Sequence, residues 1–199
     1  MIITDSQNLG NFSFSKALAD ILHRADNFTC TAFDSKETAL TKYPEAQENL
    51  VALNDMEAEI LFQVDATNLI KTPELKGRLY DKIVFNFPHV GLGIKDQEKN
   101  VKANQNMILL FLEHASKKLR KGGKIFVSLK TGLPYDLWDI KALGKAAGLA
   151  LNRSCEFVAS DYPGYAHRRT IGFQEFISSS NNEEINKKNP RMYIFSNSD

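Results

Sequence analysis

The sequence predicts an α/β fold in which a mostly parallel sheet is covered by helices on both faces. Two observations lead there. Short runs rich in β-branched and aromatic residues alternate with longer runs whose apolar residues recur at helical spacing, the pattern of βαβ units. The run Tyr80 to Phe87 (YDKIVFNF) also ends in near-continuous apolar residues, as a central strand buried on both faces requires. The chain has 199 residues, which is the length of one domain, 1–199, able to bury a core without disulfide or metal.

Each element follows from its own pattern. A first strand is predicted over Ile2 to Ser6, weakened by Thr4 and Asp5. Phe14, Ala17, Leu18, Ile21 and Leu22 then form one apolar helical stripe, with Ser13 or Ser15 able to cap its start. Phe28 to Phe33 (FTCTAF) predicts a second strand closed by Asp34. Ser35 caps a helical stretch that Pro44 interrupts, and Ala46, Leu50 and Leu53 continue its face. Ala58 to Val64 predicts a third strand running into Asp65-Ala66-Thr67, and Tyr80 to Phe87 the fourth. A long helix over Ala103 to Leu119 is stopped by Gly122-Gly123. Lys124 to Leu129 is then the fifth strand, Leu137 to Ala147 a helix, Leu151 to Ala159 the sixth strand and Met192 to Phe195 the seventh.

Composition narrows the function classes. Hydrophobic residues make up 43% and charged residues 25%, with a net charge of +1, so no global basic field marks a nucleic-acid binder. Any RNA contact has to come from a local cluster. Cys30 and Cys155 lie alone in apolar runs and read as buried thiols of a reducing compartment. The scattered His23, His89, His114 and His167 give no metal-ligand spacing. No apolar run approaches the ~20 residues that span a bilayer, and no targeting tract is visible. Residues Ser178 to Asn189 read as part of a long exposed loop, at about 160–190, between the last two strands. The basic run Lys117-Lys118-Leu119-Arg120-Lys121 sits where a helix C-terminus attracts cations and reads as structural.

Five β-α units followed by two further strands are the layout expected of a Rossmann-like class I methyltransferase, a seven-stranded sheet. A plain nucleotide-binding Rossmann domain shares the first half, so the fold pattern alone leaves the function open. Right-handed crossovers gather the loops at the strands' carboxyl ends along one edge, where such folds bind ligands. Asn8 to Asn11, Asp34, Asp65, Asn86 to His89 and Lys130 all fall on that edge.

Five segments carry a more specific signal: Gly10-Asn11-Phe12-Ser13-Phe14-Ser15, Asp65-Ala66-Thr67, Ile83 to His89 (IVFNFPH), Leu129-Lys130-Thr131-Gly132 and Tyr162 to Thr170 (YPGYAHRRT). In this order they resemble the fungal large-subunit ribosomal RNA uridine-N3 methyltransferases. That domain is similar to one in plant relatives and in animal proteins with a ferredoxin-fold anticodon-binding domain. Lys42-Tyr43-Pro44 and Arg191 to Phe195 are also in register. The resemblance implies S-adenosylmethionine as cofactor, ribosomal RNA as partner and a nucleolar or nuclear location. It places the cofactor against Asn8, Gly10, Asn11, Phe12, Asp34, Asp65, Ala66 and Asn86.

The chain departs from the family pattern at Asn8-Leu9-Gly10, where Gly-Glu-Gly or Gly-Asp-Gly is usual. Asn8 adds bulk where a glycine lets backbone approach the methionine part of the cofactor. Replacing the acidic residue by Leu9 removes a partner for the cofactor's ammonium. With only residues 1–7 ahead of this turn, a protein partner is expected to complete the N-terminal side.

Asp34, about 20 residues beyond the glycine turn, is expected to bind the ribose hydroxyls, or else to cap a helix beside Ser35. Asp65 either accepts from the adenine amine, beside Ala66, or only stabilises its own turn. Asn86-Phe87-Pro88-His89 resembles the Asn-Pro-Pro-aromatic motif of enzymes that methylate planar nitrogens, with Asn86 orienting the nitrogen and Phe87 either stacking on the base or packing in the core. Uridine N3 must lose a proton, which His89 is placed in sequence to accept, unless it is a structural hydrogen-bonding histidine. Lys130 either stabilises charge on a uracil carbonyl or is a solvated charge at a strand end. Tyr162, Tyr165, His167, Arg168 and Arg169 interleave rings and cations as single-stranded RNA requires; the bland alternative is an exposed Pro-Gly turn. Three readings follow: a uridine-N3 methyltransferase, a catalytically inactive relative serving as an RNA-binding or assembly subunit, and a nicotinamide-dependent dehydrogenase. The last lacks the three-glycine fingerprint.

Overall fold

The computed structural model describes residues 1–5, 10–168 and 183–198. Its seven strands are β1 (Ile2–Asp5), β2 (Thr29–Thr31), β3 (Glu59–Leu61), β4 (Tyr80–Asn86), β5 (Leu119–Leu129), β6 (Leu149–Glu156) and β7 (Arg191–Asn197). They form one sheet in the order β3-β2-β1-β4-β5-β7-β6, in which β7 alone runs antiparallel to its neighbours. The mostly parallel seven-stranded sheet is the one the sequence predicts. The order reverses between β1 and β4, so the loops leaving those two strands open side by side at the switch point where such sheets bind ligands.

The helices are α1 (Ser13–Leu22), α2 (Lys36–Lys42), α3 (Ala46–Asp55), α4 (Gln97–Lys118), α5 (Ile140–Ala146) and the short α6 (Glu183–Asn186). Two apolar cores lie on opposite faces of the sheet. One packs Ile83 and Phe85 of β4 against Ile108, Phe111 and Leu112 of α4; the other packs Val84 against Phe14 and Ala17 of α1 and Leu53 of α3. The two-residue period of a strand divides β4 between the two cores. Among the described residues no helix is long and apolar enough to cross a membrane.

Several boundaries differ from those predicted. The helix at Phe14 is capped by neither Ser13 nor Ser15; the Asn11 carboxamide accepts from the Ser13 N–H at 3.2 Å. Ser35 does cap α2, accepting from the Thr38 N–H, and Pro44 does separate α2 from α3. Helix α4 begins six residues before the expected Ala103, because the Asp96 side chain caps it by accepting from the Lys99 N–H. Gly122-Gly123 form a bulge inside β5 rather than a stop ahead of it: Tyr80 pairs with Leu119 but Lys82 with Lys124, and Gly122 takes φ 78°. The predicted helix at Leu137 divides into a 3-10 turn (Tyr135–Trp138) and α5. In the 178–189 stretch, Ile185 is fully buried rather than exposed. Cys30 is buried, but Cys155 is only half-buried, since β6 is an edge strand and one of its faces meets solvent.

Lys118 confirms a structural role within the basic run, in an unexpected way. Its ammonium is buried and donates to the Leu75 carbonyl, and burial followed by the Arg78 charge lowers its pKa. At Gly144 of α5 a Cβ would lie 2.3 Å from the fully buried Phe195 ring of β7. Gly144→Ala is therefore expected to cost about 1–3 kcal/mol through overpacking, outweighing the helix propensity that alanine adds. Denaturant unfolding checks this, with Gly148→Ala as a comparison that is open in space but strained at φ 73°.

Candidate active site at the switch point

At the carboxyl ends of β2, β3 and β4 a shallow cleft is lined by Phe33, Val64, Asp65, Ala66, Thr67, Phe85 and Met107. Asp65 accepts from the Thr67 N–H at 2.8 Å and from its hydroxyl at 2.7 Å, both through Oδ1. The Asp turn is thus present, and Oδ2 has no partner among the described residues. The lining is mostly apolar with one carboxylate among it, the chemistry the sequence reading assigned to an adenine contact at Asp65 and Ala66.

Asp34 does not cap α2, as Ser35 does. Its carboxylate is held by Lys42, whose Nζ lies 2.9 Å from both oxygens. A carboxylate offers about four lone-pair sites, so this pair fixes its orientation and leaves acceptors for two ribose hydroxyls. The Lys42-Tyr43-Pro44 motif thereby gains a role its sequence did not reveal. Lys42 positions Asp34, and the buried Tyr43 ring packs under Gly10, where a Cβ would sit 3.4 Å from it. Asn8 and Leu9 lie outside the described residues.

Asn11 and Phe12, expected at the cofactor, are spent inside the fold. The Asn11 side chain is buried and donates to the Ala166 carbonyl at 2.8 Å and to Glu45 at 3.2 Å, while its oxygen accepts from Ser13. Asn49 donates to the Asn11 carbonyl at 2.8 Å. Phe12, at φ 57°, turns its ring fully into the core against Phe62, with centroids 5.6 Å apart. This network clamps the segment after β6 onto the turn after β1.

That segment is consequently less available to RNA than its composition implies. Tyr165 is buried, edge-on to Phe14 and Phe157, and Tyr162 stacks on Phe157 at 5.3 Å and 14°. Arg168 is 9% exposed, with its Nε bonded to Glu45 at 2.5 Å. His167 is half-buried, meeting the Tyr165 hydroxyl at 3.3 Å and the edge of Phe87. Arg169 lies outside the described residues.

The motif after β4 is built from strained backbone. Phe87 takes φ 48°, a conformation bulky residues avoid, and its N–H donates to the Ser128 carbonyl at 2.7 Å. Strand alternation would put its ring beside Ile83 and Phe85; the positive φ instead sends it to the other core, edge-on to Phe157 at 5.0 Å. Phe87 is therefore core, not a stacking platform. Pro88 is buried behind it. The turn leaves Asn86 3% exposed, its Oδ1 accepting from the Ser128 hydroxyl at 2.7 Å and its Nδ2 with no partner among the described residues. Buried donors without acceptors are rare, and each costs about 1–3 kcal/mol.

His89 stands over this end of the sheet, 6.0 Å from Trp138. Its Nδ1 accepts from the Gly91 N–H at 3.0 Å. Burial, and then the Lys130 charge, lower its pKa, so the ring is neutral at physiological pH. Lys130 lies 5.8 Å over the Tyr135 ring, which meets Trp138 edge-on at 5.1 Å. Trp138 is fully buried and its Nε1 has no partner among the described residues. The sequence reading missed Tyr135 and Trp138; the aromatic pair directly after Gly132 and Pro134, in the loop leaving the fifth strand, was the available signal. Among the described residues no group of three or more His, Cys, Asp or Glu converges to hold a metal.

Comparison with known proteins agrees with this geometry. A 25S rRNA (uridine(2634)-N(3))-methyltransferase from Saccharomyces cerevisiae is 33% identical, over 94% of this chain and 70% of its own length. An uncharacterized Arabidopsis thaliana protein is 37% identical over 82% of this chain and 79% of its own. Among solved structures, the glycopeptide N-methyltransferase MtfA complexed with sinefungin superposes with a TM-score of 0.56 at 9% identity, covering 100% of this chain and 81% of that one; this likeness concerns the fold alone. The family model described as rRNA (uridine-N3-)-methyltransferase BTM5-like matches residues 9–169. By that match, and by its identity with the yeast enzyme, the chain belongs to the BMT5-like family.

Proposed function

We propose that this chain is an S-adenosylmethionine-dependent methyltransferase acting on N3 of a uridine in ribosomal RNA, in the nucleus or nucleolus. The observation that carries the reading is the polarity of the site. Among the described residues Asn86 Nδ2 and Trp138 Nε1 are buried donors with no acceptor, and the Lys130 ammonium lies near both His89 and Tyr135. Uracil presents two carbonyl acceptors flanking N3, whereas adenine and cytosine present an amine at the corresponding edge. Unmatched buried donors select the first pattern. When bound, S-adenosylmethionine supplies a methyl group made electrophilic by its sulfonium.

The cofactor fits the residues present. Asp65 and Ala66 would hold adenine in the apolar cleft, and Asp34, steadied by Lys42, the ribose. A target nitrogen used in base pairing has to be unpaired or extruded, and a closed aromatic wall at Tyr135 and Trp138 suits an extruded ring. Arg169, with its neighbours Tyr162 and His167, is the part of the 162–169 segment proposed to meet RNA.

Calorimetric titration with S-adenosylmethionine and S-adenosylhomocysteine tests the reading first. Micromolar affinity, about −8 kcal/mol, is expected, with Asp34→Asn weakening it about tenfold or more. Nucleoside analysis of a ribosomal RNA fragment incubated with chain and cofactor should then show 3-methyluridine. A folded chain that binds neither compound is instead a non-catalytic RNA-binding or assembly subunit, with the Asn8-Leu9-Gly10 turn as the reason.

A further inference from the structure

We infer that His89 acts as a neutral hydrogen-bond donor, through Nε2–H, to a uracil carbonyl, and that it is not the base that removes the N3 proton. The inference rests on the uridine reading above and assigns a role opposite to the one its sequence position suggested. A backbone N–H can only donate. Because the Gly91 N–H points at His89 Nδ1 at 3.0 Å, that nitrogen carries the lone pair and the single proton of the neutral ring sits on Nε2. Nε2 has no partner among the described residues. To accept a proton at Nε2 the ring would first have to change tautomer, losing the Gly91 bond, and would then become cationic beside the Lys130 ammonium in a half-buried setting that already holds its pKa low.

The consequence concerns where the proton goes. With His89, Asn86 Nδ2 and Lys130 all donors, the site stabilises the ionised imide rather than abstracting its proton. The N3–H bond breaks, its electron pair stays in the ring and spreads over N3 and both carbonyl oxygens, and the proton passes to water. The donors then face the oxygens on which charge has grown, which is where preorganised dipoles are most effective.

Two measurements decide it. Nitrogen-15 shifts of the His89 ring in the wild-type chain should show an unprotonated Nδ1 and a protonated Nε2 at neutral pH; the reverse tautomer, or a cationic ring, overturns the assignment. His89→Gln keeps an N–H at the Nε2 position and an acceptor for Gly91, but cannot serve as a base. It should retain single-turnover methylation within about tenfold of wild type, with the same form of pH–rate profile, whereas His89→Ala should lose about 10²-fold with cofactor binding intact. If the wild type methylates and Gln is as impaired as Ala, His89 is the base and this inference fails. A wild type that binds cofactor yet methylates no uridine refutes the function, and the role with it.

Discussion

Arg168→Ala is expected to destabilise the fold by about 2–4 kcal/mol, lowering the melting temperature by about 5–15 °C. The guanidinium is 9% exposed and bonded to Glu45, whose carboxylate also accepts from Asn11. Removing it leaves a mostly buried carboxylate with only an amide for a partner. The Glu45 side chain keeps 26% of its surface in solvent, which lowers the expected cost below that of a fully enclosed pair. Arg168→Lys should recover only part of the loss, since a point charge does not reproduce the guanidinium's directed bond. The double variant Glu45→Gln with Arg168→Met should be more stable than Arg168→Ala alone, because it removes the unpaired charge as well. Thermal unfolding with parallel RNA binding decides between this role and the direct RNA contact that the residue's position implies. An unchanged melting temperature, together with a salt dependence of RNA affinity reduced by about one unit, would assign Arg168 to a phosphate instead.

What could be read in the sequence and what could not divide along a physical line. The sheet, its order of elements and the ligand-binding edge follow from periodicity and connection rules, so β4, Asp34, Asp65 and Asn86 were found where they stand. Side-chain direction at special backbone positions does not follow from residue type. Phe12 and Phe87 both take positive φ, and that rotation sends rings into the core that strand and turn patterns alone would aim at the ligand. Long-range pairings are equally silent. The bond from Asn11 to the Ala166 carbonyl spans 155 positions, and nothing local marks a polar residue after a glycine as the anchor of a distant segment. The pair Lys42 and Asp34 lies within eight positions, yet it depends on the length of α2 bringing the ammonium back over the end of β2. The tautomer of His89 rests on one backbone amide two residues on, in a loop whose shape no periodicity describes.

Asn86→Ala should lower single-turnover methylation by about 10²–10³-fold while changing folding stability by less than about 1 kcal/mol. A buried asparagine usually stabilises through its hydrogen bonds, and this one makes only one. The Ser128 hydroxyl locks Oδ1, and Nδ2 points to no acceptor, so half of the amide is a desolvation cost that the fold bears without return. Truncation removes that cost along with the Ser128 bond, and the two nearly offset. Activity has no such offset, because under the proposed function the same Nδ2 would donate to a uracil oxygen. Ser128→Ala provides the complementary variant: it releases Oδ1, lets the amide rotate, and should reduce methylation by less than Asn86→Ala with cofactor affinity kept. Measuring rate per folded molecule beside unfolding free energy separates the cases. If Asn86→Ala loses several kcal/mol of stability and its folded fraction methylates normally, the amide is a structural brace for the strained turn at Phe87. A lost rate in a fully stable fold makes it the group that the buried end of β4 exists to present.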